Sequence, residues 1–244
     1  MVSGSSTGLF LPARLSIIVP CYNEAENVAP MVAALSRALA EEYWEVIFVD
    51  DNSPDGTSAR VSDIAKNDPR VRVVRRVGRR GLSSAVIEGF LSSSATYVAV
   101  MDGDLQHDES VLPKMLAALD AGSQMVVGSR HVEGGDNAGL AGHWRHLLSD
   151  TGIRAAQAVL PHPLTDPMSG FFVMRRDLFT ATLPKLSGTG FKILLDLVMS
   201  VPKETRITEV PFVFRPRVAG ESKLDVVVLL QFATMLLDKL THGW

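Results

Sequence analysis

Short apolar runs alternate with amphipathic stretches through the first half of the chain. The runs are four or five residues long and rich in β-branched and aromatic residues, which is typical of buried strands. They lie at residues 15–19, 46–49, 71–74, 97–101 and 125–128. Helices are predicted between them at residues 27–42, from just after residue 57 to about residue 66, at residues 82–93 and at residues 109–121. This alternation over short connections predicts an α/β fold whose mostly parallel sheet is flanked by helices.

The second half of the chain is less regular. A glycine-rich stretch covers residues 131–142. Beyond it, helices are predicted at residues 144–160 and 191–201, and strands at residues 171–174 and 207–214. No internal repeat or linker divides the chain. We therefore expect a flexible leader at residues 1–14 and one domain at residues 15–223.

Residues 224–244 form an apolar C-terminal segment. Its core, residues 224–240, is apolar on most sides, but Gln231 and Asp238 interrupt it and it is too short to span a bilayer. We therefore predict a helix that lies in a membrane interface, with a buried core helix as the alternative. No run of about 18 apolar residues, the length of a transmembrane helix, occurs in the sequence.

Composition and charge narrow the classes of function. Hydrophobic residues make up 46% of the 244 residues and charged residues 21%, an ordinary globular balance. The formal net charge of −3 gives no global signal of nucleic-acid binding, and no nucleic-acid partner is expected. Because Cys21 is the single cysteine, no intramolecular disulfide can form.

The strand predicted at residues 97–101 ends abruptly in Asp102-Gly103-Asp104. Ligands of open α/β sheets bind just beyond the carboxyl ends of the strands. Two carboxylates separated by one glycine can converge there on a divalent cation, and hard oxygen ligands favour Mg²⁺ or Mn²⁺. The alternative interpretation is a polar turn in which an aspartate caps the next helix.

The first strand is followed by Pro-Cys-Tyr-Asn-Glu at residues 20–24, where a dinucleotide-binding fold would carry a glycine-rich turn. No Walker-type Gly-Lys-Ser/Thr loop occurs either. Phosphates must therefore be held in another way, and a metal on Asp102 and Asp104, helped by cationic side chains, would do so. A nucleoside diphosphate sugar fits this layout, with its base and ribose over the first two strand ends.

Six short motifs occur in the order in which one family of glycosyltransferases carries them. They are VPCYNEAENV, VDDNSPDGT, MDGDLQH, Gly128-Ser129-Arg130, Asp166-x-x-Ser-Gly-Phe and Arg217-x-x-Gly-x-Ser-Lys223. Over roughly residues 15–235 the chain resembles the polyprenol-phosphate (dolichol-phosphate) mannose synthases, inverting glycosyltransferases with the Rossmann-like GT-A fold and its mixed, mostly parallel sheet. The resemblance implies transfer of a hexose, with mannose from GDP-mannose expected first, to a polyprenyl or dolichyl monophosphate.

The resemblance also implies roles for individual residues. Donor binding would fall to Pro20, Tyr22, Glu24, Val49, Asp51, Asp102, Gly103, Asp104, Arg130, Arg217 and Lys223. Mg²⁺ or Mn²⁺ would be held by Asp102, Asp104 and Gln106. The acceptor phosphate would lie against Arg130, Arg145, Ser149 and Arg217. Catalysis would rest on Asp104, Arg217 and Lys223, with Lys223 neutralising the leaving nucleoside diphosphate or ordering its loop. Ordinary structural roles are the alternatives: Pro20 could end a strand and Glu24 could cap a helix.

A phosphate acceptor needs no strong general base, because a phosphate monoester with a second pKa of about 6 is already anionic near neutral pH. No histidine or glutamate stands out in the sequence as such a base, and His107 is interpreted as structural. The arginines of the 75–80 stretch are interpreted as solvated surface charges that could also face anionic lipid. They are Arg75, Arg76, Arg79 and Arg80.

Three other functions remain open. The same lipid-phosphate chemistry could use a UDP-sugar such as UDP-glucose, or the chain could be a non-catalytic scaffold that binds nucleotide sugars. A NAD-type oxidoreductase is disfavoured by the missing glycine fingerprint. Some relatives carry membrane helices directly after this point, so we expect a C-terminal membrane domain beyond these residues. The protein would then work at the cytoplasmic face of a membrane, as a peripheral enzyme or as the soluble part of a membrane protein.

Overall fold

The computed structural model describes residues 12–136, 160–188, 190 and 192–216. Within these residues seven strands form one sheet: β1 (Leu15–Cys21), β2 (Trp44–Asp50), β3 (Val71–Arg75), β4 (Tyr97–Val100), β5 (Met125–Ser129), β6 (Phe172–Arg175) and β7 (Ile207–Pro211). The helices of the same residues are α1 (Ala25–Ala38), α2 (Thr57–Ala65), α3 (Leu82–Ser92), α4 (Leu112–Asp120), α5 (Arg176–Thr182) and α6 (Ile193–Ser200). Single 3₁₀ turns at Glu109–Val111 and Leu183–Lys185 adjoin α4 and α5.

The strand order is β3-β2-β1-β4-β6-β5-β7, and only β6 runs antiparallel to its two neighbours. The predicted mixed, mostly parallel sheet is therefore confirmed. The chain first winds from β1 outward to β3 and then returns to place β4 on the other side of β1. Such a reversal opens a crevice at the carboxyl ends of the two central strands, where open α/β sheets bind ligands. The crevice lies next to Cys21 and Val100, the last residues of β1 and β4.

Both faces of the sheet are covered, which is why its strands read as nearly continuous apolar runs. Alternate residues of β1 point to opposite faces. Ile17 and Val19 join the core under α1, α2 and α4, whereas Ile18 joins the core under α3, α5 and α6. The molecule therefore has three layers, and the carboxyl edge of the sheet is left for the site.

The predicted elements differ from the structure mainly at their ends. Helix α1 stops at Ala38 instead of residue 42, and the last described strand stops at Pro211 instead of residue 214. Helix α5 was not predicted, because its seven residues are too few to display a helical period. The helices predicted at residues 144–160 and 224–240 lie outside the described residues, apart from residue 160, which is not helical.

Arg14, which the sequence assigns to the leader, contacts the folded part of the chain. The backbone N–H of Arg14 donates to the Tyr43 carbonyl at 2.7 Å. Its guanidinium pairs with Glu42 at 2.6 Å and also with Asp120. These contacts hold Arg14 against the folded part of the chain. Residues 1–11, the rest of the predicted leader, lie outside the described residues.

None of the helices in the described part of the chain is both long and apolar enough to cross a bilayer. The predicted interfacial segment at residues 224–244 lies outside the described residues.

Helix α3 packs closely on β1 and β2 because Gly89 has no side chain. A Cβ added there would lie 2.3 Å from Ile18 Cγ2 and 3.1 Å from Val49 Cγ2. We expect Gly89→Ala to lower the free energy of unfolding by about 1–3 kcal/mol through overpacking, although alanine is the better helix former by about 1 kcal/mol. Urea denaturation measures the change.

Leu91→Ala is the matched control for this prediction, since Leu91 belongs to the same helix but is 60% exposed. Its effect should stay within about 0.5 kcal/mol. An unchanged unfolding midpoint for Gly89→Ala would contradict the close packing of α3 on the sheet.

Candidate active site

The loops that follow β1, β2 and β4 meet at the carboxyl edge of the sheet. The N–H of Asp51, just after β2, donates to the Cys21 carbonyl at the end of β1 at 3.1 Å. A Cβ on Gly103, just after β4, would lie 3.3 Å from Glu24 Cγ and 3.7 Å from Cys21 Cβ. The residues expected to bind the nucleotide and the residues expected to bind the metal are therefore neighbours in space.

The two aspartates after β2 have different surroundings. Asp50 is fully buried and holds its own loop: it accepts the Ser53 N–H at 3.1 Å and the hydroxyls of Ser53 and Ser58. Asp51 faces the other way, where its Oδ2 accepts the Gly81 N–H at 2.8 Å. Asp50 is thus an anchor for the loop, and Asp51 is the carboxylate nearer the crevice.

Arg76 is the unexpected partner of Asp51. Its Nη1 lies 3.1 Å from Asp51 Oδ1 and its Nε lies 3.2 Å from Glu88 Oε1, while the same guanidinium donates to Gly81 O at 3.0 Å and Ser84 Oγ at 2.7 Å. The prediction of a solvated surface charge is wrong for Arg76, which is fully buried. Two carboxylates from other elements offset its charge, and local sequence could not reveal them.

The other three arginines of this stretch are exposed, as predicted. Arg79 donates from Nε and Nη2 to the two oxygens of Glu88, at 2.9 and 2.7 Å, and Arg75 donates to Asn52. Arg80 lies over the ring of Tyr22, with its guanidinium carbon 4.3 Å from the ring centroid. The rim of the predicted nucleotide pocket therefore carries a cation stacked on an aromatic ring.

Not every predicted donor residue offers its side chain to the crevice. Val49 is fully buried in the core, so any contact with a nucleotide would have to use its backbone. Glu24 does not cap α1 through its carboxylate; instead it accepts from Asn27 Nδ2 at 2.7 Å, and its N–H donates to Thr57 Oγ1 at 3.0 Å. Pro20 is a half-buried residue inside β1 rather than a residue that ends the strand.

The loop after β4 is held as a tight turn. Asp104 Oδ1 accepts the Gln106 N–H at 3.2 Å, and between them Leu105 has the left-handed backbone angle φ of +62°. That conformation costs a non-glycine residue roughly 1–2 kcal/mol, so the surroundings must hold the loop in place. The next helical turn is capped by Asp108, which accepts the Ser110 N–H. An aspartate therefore caps the next helical turn, as the alternative interpretation expects, but it is Asp108 rather than Asp102 or Asp104.

Gln106 is fixed by a segment from the far end of the chain. Its Nε2 donates to the Arg215 carbonyl at 3.0 Å. Because the nitrogen of the amide is used in this way, its oxygen is the atom left for a cation. No three His, Cys, Asp or Glu side chains cluster as metal ligands within the described ranges. A cation here would therefore combine the Asp102 and Asp104 carboxylates with the Gln106 amide and with substrate oxygens, a donor set that suits Mg²⁺ or Mn²⁺.

His107 supports this loop from below, as the sequence interpretation predicted. Its ring is buried and stacked on Phe171 at 5.3 Å, with Phe212 and Phe214 at its edges. Nδ1 accepts the Asp102 N–H at 3.1 Å and is therefore occupied. Burial lowers the pKa of His107, so the ring is neutral and carries its proton on Nε2.

Asp102 lies close to another carboxylate and is packed against protein. Its side chain is 41% exposed at the surface, but the surrounding protein still removes part of its hydration. That desolvation raises the pKa of Asp102, and the neighbouring Asp104 carboxylate adds to the effect while His107 opposes it. The loop of the Asp166 motif closes over the same carboxylate: a Cβ on Gly170 would lie 2.9 Å from Asp102 Oδ2. Only glycine fits there without displacing the carboxylate.

Arg130 is oriented by a buried ion pair. Its Nε and Nη2 donate to the two oxygens of Asp166 at 2.7 and 2.8 Å, and its backbone N–H adds a third bond. Burial alone would raise the pKa of Asp166, but the hydrogen bonds and charge of Arg130 outweigh it and the pKa lies below its usual value. Nη1 is the part of the Arg130 fork that Asp166 does not engage, and a phosphate could meet it there.

Four predicted site residues cannot be located. Arg145, Ser149, Arg217 and Lys223 lie outside the described residues, and their roles stay predictions.

The sequence of this chain matches a known protein family. A model described as glycosyl transferase family 2 matches residues 16–183, more than half of the chain. The chain belongs to this family. Similar curated proteins are the dolichol-phosphate mannosyltransferases of Pyrococcus furiosus, 38% identical over 221 residues, and of Saccharomyces cerevisiae, 37% identical over 235 residues. The matches cover 90% and 91% of this chain, and 61% and 85% of those proteins. The chain therefore spans about three fifths of the length of the Pyrococcus relative.

Solved structures agree on the fold. Glucosyl-3-phosphoglycerate synthase from Mycobacterium tuberculosis, in complex with Mn²⁺, UDP-glucose and phosphoglyceric acid, superposes with a TM-score of 0.70 at 20% identity. The match covers 94% of this chain and 80% of that one. At this identity the likeness establishes a shared fold, and it confirms the predicted GT-A type.

Lys192, which the sequence analysis did not single out, lies near the predicted site. It stands just before α6, and burial together with the positive charge of Arg130 lowers the pKa of its ammonium, while Asp102 and Asp166 oppose the shift. A lysine just before a mostly apolar helix was the available signal. Its charge interacts with those of Asp102 and of the Arg130–Asp166 pair.

Arg76 yields a stability prediction for the family 2 chain. Replacing it with methionine should lower the free energy of unfolding by about 3–5 kcal/mol, because Asp51 and Glu88 would lose a buried countercharge. Chemical denaturation monitored by circular dichroism measures the loss.

Arg79→Met is the control for this change, since Arg79 also pairs with Glu88 but from the exposed side. Its free energy of unfolding, measured in the same way, should stay close to that of the wild type. Equal destabilisation by the two variants would show that burial of Arg76 is not what makes it important.

Proposed function

We propose that this family 2 chain is a metal-dependent inverting glycosyltransferase that moves mannose from GDP-mannose to a polyprenyl or dolichyl monophosphate. The observation that carries the proposal is the meeting of three groups at one sheet edge: the Asp102–Gln106 loop, the Asp51 loop, and the oriented cation Arg130. The choice of mannose and of a lipid phosphate is supported by the names of relatives that are 37% and 38% identical over about nine tenths of the chain.

The donor would lie across the ends of β2, β1 and β4. Tyr22, Glu24 and Asp51 would face the nucleoside, with Pro20 and the Val49 backbone beneath it. Asp102, Asp104 and Gln106 would hold the cation and the diphosphate beside Gly103. When bound, the cation acts as a Lewis acid that stabilises the charge of the departing diphosphate. Lys223 and Arg217 would add positive charge to the same leaving group.

A phosphate acceptor fits the described part of the site, where three of the groups that could act as a base are already engaged. Arg76 engages Asp51, Arg130 engages Asp166, and His107 uses Nδ1 to accept a backbone N–H. An alcohol acceptor must lose a proton as it attacks, and so it profits from a base. A phosphate oxygen is already anionic. It would attack the anomeric carbon from the face opposite the leaving diphosphate, held by Arg130 together with Arg145, Ser149 and Arg217.

The remaining parts of the proposal concern location. Residues 1–14 would be a leader, residues 15–223 the catalytic domain, and residues 224–244 a helix lying in a membrane interface. The lipid acceptor supports this placement, because its polyprenyl chain resides in a membrane while its phosphate faces water. The enzyme would then act at the cytoplasmic face, alone or with a membrane domain.

The direct test is transfer of radiolabelled sugar into the lipid phase. We expect product from GDP-mannose and polyprenyl phosphate with Mn²⁺ and none with EDTA. We also expect no product from unphosphorylated polyprenol, because a hydroxyl, unlike a phosphate oxygen, must lose a proton as it attacks. Asp104→Ala should lower kcat/KM at least about 100-fold, since the stabilisation that a metal supplies amounts to several kcal/mol.

Asp63→Ala, an exposed aspartate on α2, is the control and should retain full activity. Product from UDP-glucose alone would keep the reaction class but replace the donor. Undiminished transfer in EDTA would contradict metal dependence. If no nucleotide sugar turned over with any polyprenyl phosphate, a scaffold that binds nucleotide sugars would become the better explanation.

A further inference from the structure

After β7 the chain crosses from the edge of the sheet to the loop that follows β4, which carries Asp102, Asp104 and Gln106. Phe212 N–H still bonds to the Ser129 carbonyl beside β5, at 3.1 Å. Three residues later, the Arg215 N–H donates to the Gln106 carbonyl at 2.8 Å. The segment that leads to Arg217 is therefore attached to the loop that follows β4.

Arg215 and Gln106 are joined by two hydrogen bonds that run in opposite directions. The backbone N–H of Arg215 donates to the Gln106 carbonyl, and the side-chain nitrogen of Gln106 donates to the Arg215 carbonyl at 3.0 Å. The second bond selects one of the two orientations of the Gln106 amide. It therefore decides where the amide oxygen lies.

The side chain of Arg215 extends the same attachment along the loop. Its guanidinium pairs with Asp108 Oδ1 at 2.6 Å and with Glu109 Oε2 at 2.7 Å. The acidic partners are more buried than the arginine, at 17% and 14% exposed against 41%. One residue thus holds both the backbone of Gln106 and the start of the helical turn that follows it.

The loop needs such support because its own conformation is unfavourable. Leu105 has a left-handed φ of +62° immediately before Gln106. Strained residues of this kind persist only when their surroundings fix them. The bond from the Gln106 N–H to Asp104 spans the strained residue, and the bond from the Arg215 N–H holds the Gln106 carbonyl just after it.

We propose that Arg215 is a positioning residue for the divalent cation: it clamps residues 106–109 so that the Gln106 amide oxygen is held ready to coordinate. The inference rests on the proposed metal dependence and adds a residue that acts through Gln106 without touching the cation.

The test is Mn²⁺ binding, measured with Mn²⁺ alone by electron paramagnetic resonance of the free ion. Arg215→Met should weaken binding about tenfold, the low end for contacts that orient a metal ligand, because the backbone bonds to Gln106 remain. Turnover at saturating Mn²⁺ should fall far less than the affinity. Arg215→Lys, which can restore one ion pair, should recover part of the affinity.

Arg72→Met is the matched control, because Arg72 is 43% exposed and pairs with Glu45, which is 14% exposed, far from the site. It should leave Mn²⁺ affinity unchanged. Unchanged affinity in Arg215→Met would overturn the clamp.

A double-mutant cycle decides whether the effect passes through Gln106. In a Gln106→Ala background, Arg215→Met should weaken Mn²⁺ binding little further, because the ligand that it positions is already gone. An undiminished additional loss would overturn the proposed route. A wild-type protein that binds no Mn²⁺ and transfers sugar in EDTA would instead overturn the metal dependence itself, so the two failures are distinguishable.

Discussion

The structure depends on keeping two carboxylates, Asp102 and Asp104, on one short turn among surrounding protein. Burial disfavours ionisation of Asp102 and raises its pKa; the charge of His107 opposes this shift and the charge of Asp104 adds to it. The surrounding residues hold the two carboxylates in place. The Asp102 N–H is fixed by His107, the Asp104 turn is closed by the Gln106 N–H, and glycines at positions 103 and 170 let the neighbouring loops approach. Such a turn fits the proposed divalent cation, because a cation between the two carboxylates would remove their repulsion.

The same principle recurs at the end of β2 with a permanent countercharge. Asp51 and Glu88 are brought together around the fully buried Arg76, which also holds the Gly81 carbonyl. Arg76 and the exposed Arg79 together offset Asp51 and Glu88, so Asp51 is fixed in place before any ligand arrives. The ends of β2 and β4 therefore differ: Asp51 is paired with a buried arginine, which fits the neutral nucleoside of the proposed donor, whereas the Asp102–Asp104 turn fits the proposed metal diphosphate.

The sheet could be predicted because each strand is a short apolar run bounded by turn residues, and the motif aspartates could be predicted because they directly follow those runs. Contacts between distant parts of the chain could not. Arg76 looks like a surface charge in a run of four arginines until Asp51 and Glu88 are placed around it. The hydrogen bond of Arg215 with Gln106 and the charge interaction of Lys192 with Asp102 likewise become visible only when the fold brings these residues to the loop after β4. Helix α5, with seven residues, was too short to show the helical spacing of apolar residues.

The most direct test of the proposed site is crystallography of the protein with Mn²⁺ and GDP, using the anomalous signal of manganese. We expect one strong peak at the carboxyl end of β4, coordinated by the carboxylate of Asp104, the Gln106 amide oxygen and the diphosphate. The nucleoside should lie against Tyr22 and Asp51. A manganese peak elsewhere, or GDP bound without any metal at Asp102 and Asp104, would contradict the proposed site.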